Sequence, residues 1–155
     1  MKGFFFFLLF FINFISFSQV ENIKKIEFEY SLSHVAFQNL NLTFKINHNK
    51  KKVKVLVNNE RNFEKKAFNI SYDYFIEVLQ EIEKLDKNDF DSEPTEYRCL
   101  DGETSRIKIF NKKQASYEYS FYCLLNTETN ENRKLYLKLC ESLIQSALIN
   151  SKEYY

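Results

Sequence analysis

A strict alternation of apolar and polar residues in the first half of the chain most limits the folds open to it. The apolar positions are Ile26, Phe28, Tyr30 and Leu32, then Leu40, Leu42, Phe44 and Ile46, then Val53, Val55 and Val57. Because successive side chains of a β-strand point to opposite faces, this pattern predicts three strands that each have one buried and one solvated face. The turn-forming stretch Asn47-His48-Asn49-Lys50 separates the second from the third. We therefore expect a three-stranded antiparallel meander.

The spacing of apolar residues then changes to that of a helix. Apolar residues recur every three or four positions, at Phe75, Val78, Leu79, Ile82 and Leu85. One stripe of such a helix can pack on the sheet while its other side faces water. Ser71 is a typical N-cap residue, so we expect the helix to run from about Tyr72 to Asp86.

A second strand pair and a second helix complete the pattern. Residues 106–110 and 117–123 alternate on either side of the turn Asn111-Lys112-Lys113. The closing helix is marked by Leu135, Leu139, Cys140, Leu143, Ile144, Ala147 and Leu148. The predicted order βββαββα indicates an α+β fold, with an antiparallel sheet of about five strands and both helices packed on one face.

The first 18 residues are typical of a secretory signal peptide. Lys2 precedes an apolar run over residues 4–15, and Ser16-Phe17-Ser18 places small residues at a cleavage site. The run of 12 residues is short beside the roughly 17 to 25 that a membrane-spanning helix needs. We expect residues 1–18 to be removed and residues 19–155 to form one exported domain, periplasmic or secreted, with no membrane span.

The charge of the expected mature chain is balanced. Loss of Lys2 leaves 21 basic and 21 acidic residues, so no global field attracts nucleic acid. The densest basic run is Lys50-Lys51-Lys52 with Lys54. It is open to two interpretations, an anionic surface as partner or a lysine-rich hairpin turn that keeps strand edges soluble, and we expect the second.

The three cysteines are an odd set for an exported protein. Cys99 precedes the second hairpin and Cys123 ends it, so a bond between them would join the two ends of that hairpin. Cys140 lies on the apolar face of the closing helix, where we expect a buried free thiol. Spacing alone does not fix the connectivity, and a bond that involves Cys140 stays open.

The segment from Cys99 to Gly102 has the turn chemistry of an Asp-Gly pair. Asp101 and Gly102 are expected to supply a left-handed backbone that directs the chain into the next strand. The segment resembles small exported α+β proteins in which a Cys-Leu-Asp-Gly turn leads into a strand like that of residues 106–109. The resemblance covers residues 71–148. It implies a single exported domain and assigns no catalytic residue.

Motifs for catalysis and metal binding are missing from the sequence. We expect His34 to be a core or edge residue and His48 to be a solvated turn residue, and no zinc-binding spacing of His and Cys occurs. No Gly-x-Ser-x-Gly elbow is present either. We expect no cofactor and no enzymatic activity; a hydrolase would need His34 beside a buried carboxylate.

We therefore expect a non-enzymatic binding module with a protein partner in the cell envelope or outside the cell. The predicted contact surface is the sheet face opposite the helices. It comprises Lys25, Glu27, Glu29, Thr43, Lys45, Glu118 and Tyr122. Three alternatives remain open: an inhibitor or immunity-type protein, a carrier of a small ligand or lipid, and a hydrolase.

Overall fold

The computed structural model describes residues 22–32, 38–85, 102–113, 116–122 and 131–154. The strands are β1 (Ile23–Leu32), β2 (Leu40–Asn47), β3 (Lys52–Asn59), β4 (Glu64–Ser71), β5 (Glu103–Asn111) and β6 (Ser116–Tyr122). The helices are α1 (Tyr72–Glu83) and α2 (Glu131–Ser146), and a 3-10 helix covers Ser151–Glu153. The strands form one antiparallel sheet in the order β4-β3-β2-β1-β5-β6. The α+β prediction is confirmed.

The described part of the chain has six strands, so the expected count of about five and the order βββαββα were wrong. The strand that the alternation did not indicate is β4, at the edge of the sheet. Its inward positions begin with Glu64 and Lys66, which form an ion pair 3.0 Å long, and only Phe68 and Ile70 are apolar. Solvent reaches both faces of an edge strand, so the alternation of apolar and polar residues in its sequence is weaker.

Both helices cover the same face of the sheet. The Phe75 ring of α1 stacks on Phe44 of β2, with centroids 4.9 Å apart. The Tyr136 ring of α2 packs on Phe121 of β6 at 4.4 Å. Lys138 of α2 links the helices through an ion pair to Glu81 of α1, 2.6 Å long. The core therefore lies in one layer between the sheet and the helix pair.

Two local predictions about the helices are confirmed. Ser71 caps α1, because its hydroxyl accepts a hydrogen bond from the Tyr74 amide at 3.1 Å. The helix ends at Glu83 rather than at Asp86. Cys140 is fully buried on the apolar face of α2, where it packs as a small hydrophobe.

Several expectations fall outside the described residues. They concern the signal peptide, His34, Asp101 and the disulfide between Cys99 and Cys123. Among the described residues, no helix is both long and apolar enough to cross a bilayer.

Candidate interaction site

The face of the sheet opposite the helices, here called the outer face, carries all seven residues predicted for the contact surface. Strand register places them in rows that run across the strands. Lys25 lies opposite Lys45, and Glu27 lies opposite Thr43. In the same way Thr104 of β5 lies opposite Tyr122 of β6. These side chains are exposed or half-buried, and the outer face is uncovered by any described element.

The centre of the outer face is neutralised by ion pairs. The Arg106 guanidinium lies between two carboxylates, 3.0 Å from Glu118 and 3.4 Å from Glu29. Lys108 is 3.9 Å from the other oxygen of Glu118, and Lys25 pairs with Glu27 at 2.7 Å. All these groups are at least partly solvated, so each pair contributes little to stability. Their main effect is to fix the positions of the charges.

Tyr122 is the predicted surface residue with the most constrained position. Its side chain is 43% exposed, and its ring lies directly over Gly102. A Cβ atom on residue 102 would come within 2.1 Å of the ring. Asp101 lies outside the described residues, so the Asp101-Gly102 turn stays a prediction. A Cβ atom at residue 102 could be accommodated only if the Tyr122 ring moved.

Phe63 is an exposed aromatic residue that sequence reasoning missed. It lies at the end of the β3–β4 turn, its side chain is 85% exposed, and its φ is 51°. A bulky residue in the left-handed region costs about 1 to 2 kcal/mol. Because β4 was not predicted from the sequence, the β3–β4 turn and the left-handed φ angle of Phe63 were not predicted either.

The turn that carries Phe63 is held rigidly. The Phe63 amide donates to the Glu60 carbonyl at 3.2 Å, and the Glu60 amide donates to the Asn39 carbonyl at 2.9 Å. The Asn39 amide group also donates to the Glu60 carboxylate at 2.8 Å. Arg61 donates to the Glu153 carbonyl at 2.6 Å. The turn is thus fastened to both β2 and the C-terminal 3-10 helix.

Register places Phe63 and Tyr122 at the same end of the sheet, which we call the aromatic end. Phe63 directly precedes β4, at one edge, and Tyr122 is the last residue of β6, at the other. Five inter-strand spacings separate them, or about 24 Å at about 4.8 Å each. Phe63 and Tyr122 therefore lie at opposite edges of the same end of the sheet.

The core beneath the aromatic end is closed by two tyrosines. The Tyr30 hydroxyl donates to the Tyr154 carbonyl at 3.1 Å, and the two rings meet edge to face at 5.2 Å. Burial, with a smaller effect from the Glu103 carboxylate, raises the pKa of Tyr30 to about 12. Burial also raises the pKa of Tyr154. Both phenols therefore stay neutral; the Tyr30 hydroxyl donates a hydrogen bond, and both rings pack in the core.

The opposite end of the sheet is rich in lysine, and we call it the lysine end. Lys25, Lys45 and Lys54 lie directly opposite one another on β1, β2 and β3. The β2–β3 turn and the start of β3 add Lys50, Lys51 and Lys52, and the β5–β6 turn adds Lys112 and Lys113. Among the described residues, the only ion pair of these eight lysines joins Lys25 to Glu27.

His48 helps to hold the lysine end together. Its Nε2 is 2.7 Å from the Ile23 carbonyl, to which it donates, and its ring meets Tyr72 edge to face at 5.3 Å. The expectation that His48 is a solvated turn residue was therefore wrong, because the ring is half-buried and bonded. Both contacts tie the β2–β3 turn to the start of β1 and of α1.

Catalytic chemistry has little support in the described part of the chain. No group of three or more His, Cys, Asp or Glu residues there is arranged to hold a metal ion. His48 is bonded to the backbone, and the carboxylates of the outer face are paired with cations. What the described surfaces offer is fixed charge and fixed aromatic side chains, which suit binding.

No family model, curated protein or solved structure matches this chain. Its function is therefore inferred from its own residues and their geometry.

Proposed function

We propose that this is an exported, non-enzymatic binding protein that holds a protein partner at its aromatic end. The observation that carries the proposal is Phe63, which is 85% exposed and has a left-handed backbone. Burying Phe63 in a partner would recover its hydrophobic contribution, about 2 to 3 kcal/mol. A bulky residue in the left-handed region is strained, and such strained positions cluster at functional sites.

Tyr122 supports the same end of the sheet. Tyrosine, tryptophan and arginine dominate the energetics of protein interfaces, because they bury a large area at a small entropic cost. The Tyr122 ring already packs over Gly102, which limits its freedom before a partner binds. Arg106 and Glu29 lie in the neighbouring residue row of the outer face, and Glu118 pairs with Arg106. These three residues would form a polar rim.

This proposal narrows the predicted contact surface to one half of the outer face. Glu29 and Tyr122 remain in it, with Phe63 and Arg106 added, and Glu118 stays at its border through its ion pair with Arg106. Glu27 and Thr43 lie in the middle of the sheet, and Lys25 and Lys45 belong to the lysine end. The span of about 24 Å between the two aromatic residues suits an interface that buries about 800 Å² on each partner.

The alternatives differ in what supports them. A carrier of a small ligand or lipid has no supporting observation, since Phe28, Phe44 and Phe75 fill the described core. A hydrolase depended on His34, which lies outside the described residues. An inhibitor or immunity-type protein is a special case of the proposal, in which the partner is an exported enzyme or toxin.

The test begins with affinity capture under non-reducing conditions, with the chain from Gln19 as bait and the bound protein identified by mass. The affinity of that partner is then measured for the unchanged protein and for Phe63→Asn and Tyr122→Ala. We expect each substitution to weaken binding about 30-fold or more, as for an interface residue worth about 2 kcal/mol. Tyr74→Ala is the matched control, because Tyr74 is also exposed but lies on α1.

Phe63→Asn separates binding from folding. Asparagine tolerates the left-handed region better than phenylalanine, so the variant should unfold at the same denaturant concentration or a higher one. Loss of the partner with unchanged stability supports the proposal. Unchanged affinity in both variants, or no partner for a bait shown to be folded, would contradict it. Assay of a captured enzyme then tests inhibition directly.

A further inference from the structure

The row formed by Lys25, Lys45 and Lys54 works against the stability of the fold. Each lysine lies directly opposite the next on a neighbouring strand, at a Cβ separation of about 5 Å. Like charges directly opposite each other in a sheet are destabilising. Opposite charges are paired elsewhere on the same face, where Lys108 lies opposite both Glu27 and Glu118. The lysine row is therefore not a requirement of this sheet.

Within the described protein, only Lys25 of this row has an ion-pair partner, which is Glu27. Lys45 and Lys54 are exposed and form no ion pair with a described residue, and the turn lysines are equally unpaired. Acidic residues do occur nearby on α1, where Asp73 and Glu77 are exposed. They lie in the helix layer, on the other side of the sheet from the row. The outer face at this end is therefore positively charged, although the whole chain has nearly balanced charge.

We propose that the lysine end binds the anionic headgroups of a lipid bilayer. A bilayer offers an extended negative surface, and the lysines are likewise spread over a strand row and two hairpin turns rather than gathered around a pocket. From Lys54 on β3 to the β5–β6 turn they extend over three strand spacings, or about 14 Å. The basic residues at this end are eight lysines, and no described arginine lies there. A lysine ammonium attracts anions without a preferred direction, whereas arginine suits bidentate recognition of one group.

The position of the N-terminal segment favours a bilayer over other polyanions. Strand β1 begins at the lysine end, with Ile23 opposite Asn111 next to the β5–β6 turn. The apolar run over residues 4–15 is joined to β1 by residues 16–22. Seven residues span at most about 25 Å. As long as the predicted signal peptide is attached, this length limits how far the lysine end can lie from a membrane that holds the apolar run.

This surface is separate from the one that would hold a protein partner. Tyr122 lies six residues along β6 from Ser116, which borders the lysine end, or about 20 Å. A protein docked by its lysine end would present Phe63 and Tyr122 away from the bilayer. The inference thus adds a second binding surface, and each surface can fail its test without the other.

The test is co-sedimentation with lipid vesicles, with the processed protein purified from an exporting host. One set of vesicles contains phosphatidylcholine alone, and the other an equal mixture of phosphatidylcholine and phosphatidylglycerol. We expect binding to the mixed vesicles only, and loss of that binding as NaCl rises from about 50 to about 500 mM, where charges are screened within a few ångströms.

Two double variants with the same net charge locate the surface. Lys45→Glu/Lys112→Glu reverses charges at the lysine end, and Lys65→Glu/Lys152→Glu reverses exposed charges elsewhere. Each lysine at an anionic surface contributes roughly a factor of five to the binding constant, so the first variant should bind at least about 25-fold more weakly. The second should stay within about threefold, because its lysines lie beyond a Debye length from the bilayer.

Three results would overturn the proposal. Equal binding to both kinds of vesicle would exclude charge as the cause. Equal losses in the two double variants would show that net charge matters and the lysine end does not. Retention on an acidic polysaccharide without binding to mixed vesicles would assign the lysines to a different polyanion. Circular dichroism of both variants controls for folding.

Discussion

At the lysine end of the sheet, Lys25, Lys45 and Lys54 lie opposite one another on three neighbouring strands. Lys45 and Lys54 form no ion pair with a described carboxylate. At the aromatic end, about 20 Å along the same strands, side chains of β1, the β3–β4 turn and the C-terminal segment are bonded to one another. The contacts of the aromatic end hold the fold together, whereas the charges of the lysine end oppose it. Substitutions at the two ends should therefore change stability in opposite directions.

The largest expected effect is at the aromatic end, from Tyr154→Ala. The Tyr154 side chain is 5% exposed and its ring packs against Tyr30. Loss of a buried aromatic side chain costs about 3 kcal/mol, since the cavity relaxes only in part. Denaturant unfolding measures this, and Glu153→Ala, an exposed neighbour, should change stability by less than about 0.5 kcal/mol. A loss below 1 kcal/mol for Tyr154→Ala would mean that the C-terminal segment does not close the core.

The next effect tests the contact between Gly102 and Tyr122. Gly102→Ala should cost about 1 kcal/mol, because the Tyr122 ring, which is 43% exposed, has to turn away from the new methyl group. In a Tyr122→Ala background the same change should cost less than about 0.5 kcal/mol, since the obstacle is gone. A double-mutant cycle by denaturant unfolding gives both values. Equal costs in the two backgrounds would instead indicate that the backbone at residue 102 requires glycine.

A third prediction concerns the pH dependence of stability at the aromatic end. The pKa of Tyr30 is about 12 in the folded protein and about 10 in an unfolded chain. The folded state therefore keeps a proton that the unfolded state loses, so this contribution is complete below pH 10 and is lost as the pH rises towards 12. The free energy of unfolding should fall by up to about 1.4 kcal/mol per pH unit on this account.

Tyr30→Phe isolates that contribution. The variant lacks the hydrogen bond to the Tyr154 carbonyl, so it starts about 1 kcal/mol less stable. Its stability should then decline less steeply than that of the unchanged protein between pH 9 and pH 11. Parallel curves would show that other groups cause the alkaline decline, including the buried phenol of Tyr136, whose pKa burial also raises.

The two ends also differ in how far the sequence predicts them. The strands β1, β2 and β3 were predicted because each has one buried face, and the N-cap at Ser71 because it depends on a few neighbouring residues. The lysine row depends on which residue of β1 lies opposite which of β2 and β3, and such a register is set by contacts across the whole sheet. The run from Lys50 to Lys54 was visible in the sequence, but its alignment with Lys25 was not.

The aromatic end was predicted only in part for a different reason. Tyr122 alternates with the inward-facing residues of β6, so its side chain was predicted to be exposed, and it is 43% exposed. Phe63 was missed because β4 was missed, and β4 was missed because Glu64 and Lys66 occupy two of its inward positions. The contact between Gly102 and the Tyr122 ring was not predicted, because an Asp-Gly pair is a strong turn signal, whereas a close approach by a ring 20 residues away leaves no local trace.

The smallest expected effect is at the lysine end, and it has the opposite sign. Lys45→Glu places a carboxylate between Lys25 and Lys54, and thereby replaces two repulsive cross-strand pairs by attractive ones. Each exposed pair is worth a few tenths of a kcal/mol, so the protein should gain about 0.5 kcal/mol of stability at low salt. Lys45→Gln, the matched neutral variant, should gain about half as much, and the gain of both should shrink in high salt. A loss of stability in Lys45→Glu would mean that the row supports the fold. A gain would show that these lysines are retained for a reason other than stability, either binding or the solubility of the strand edges.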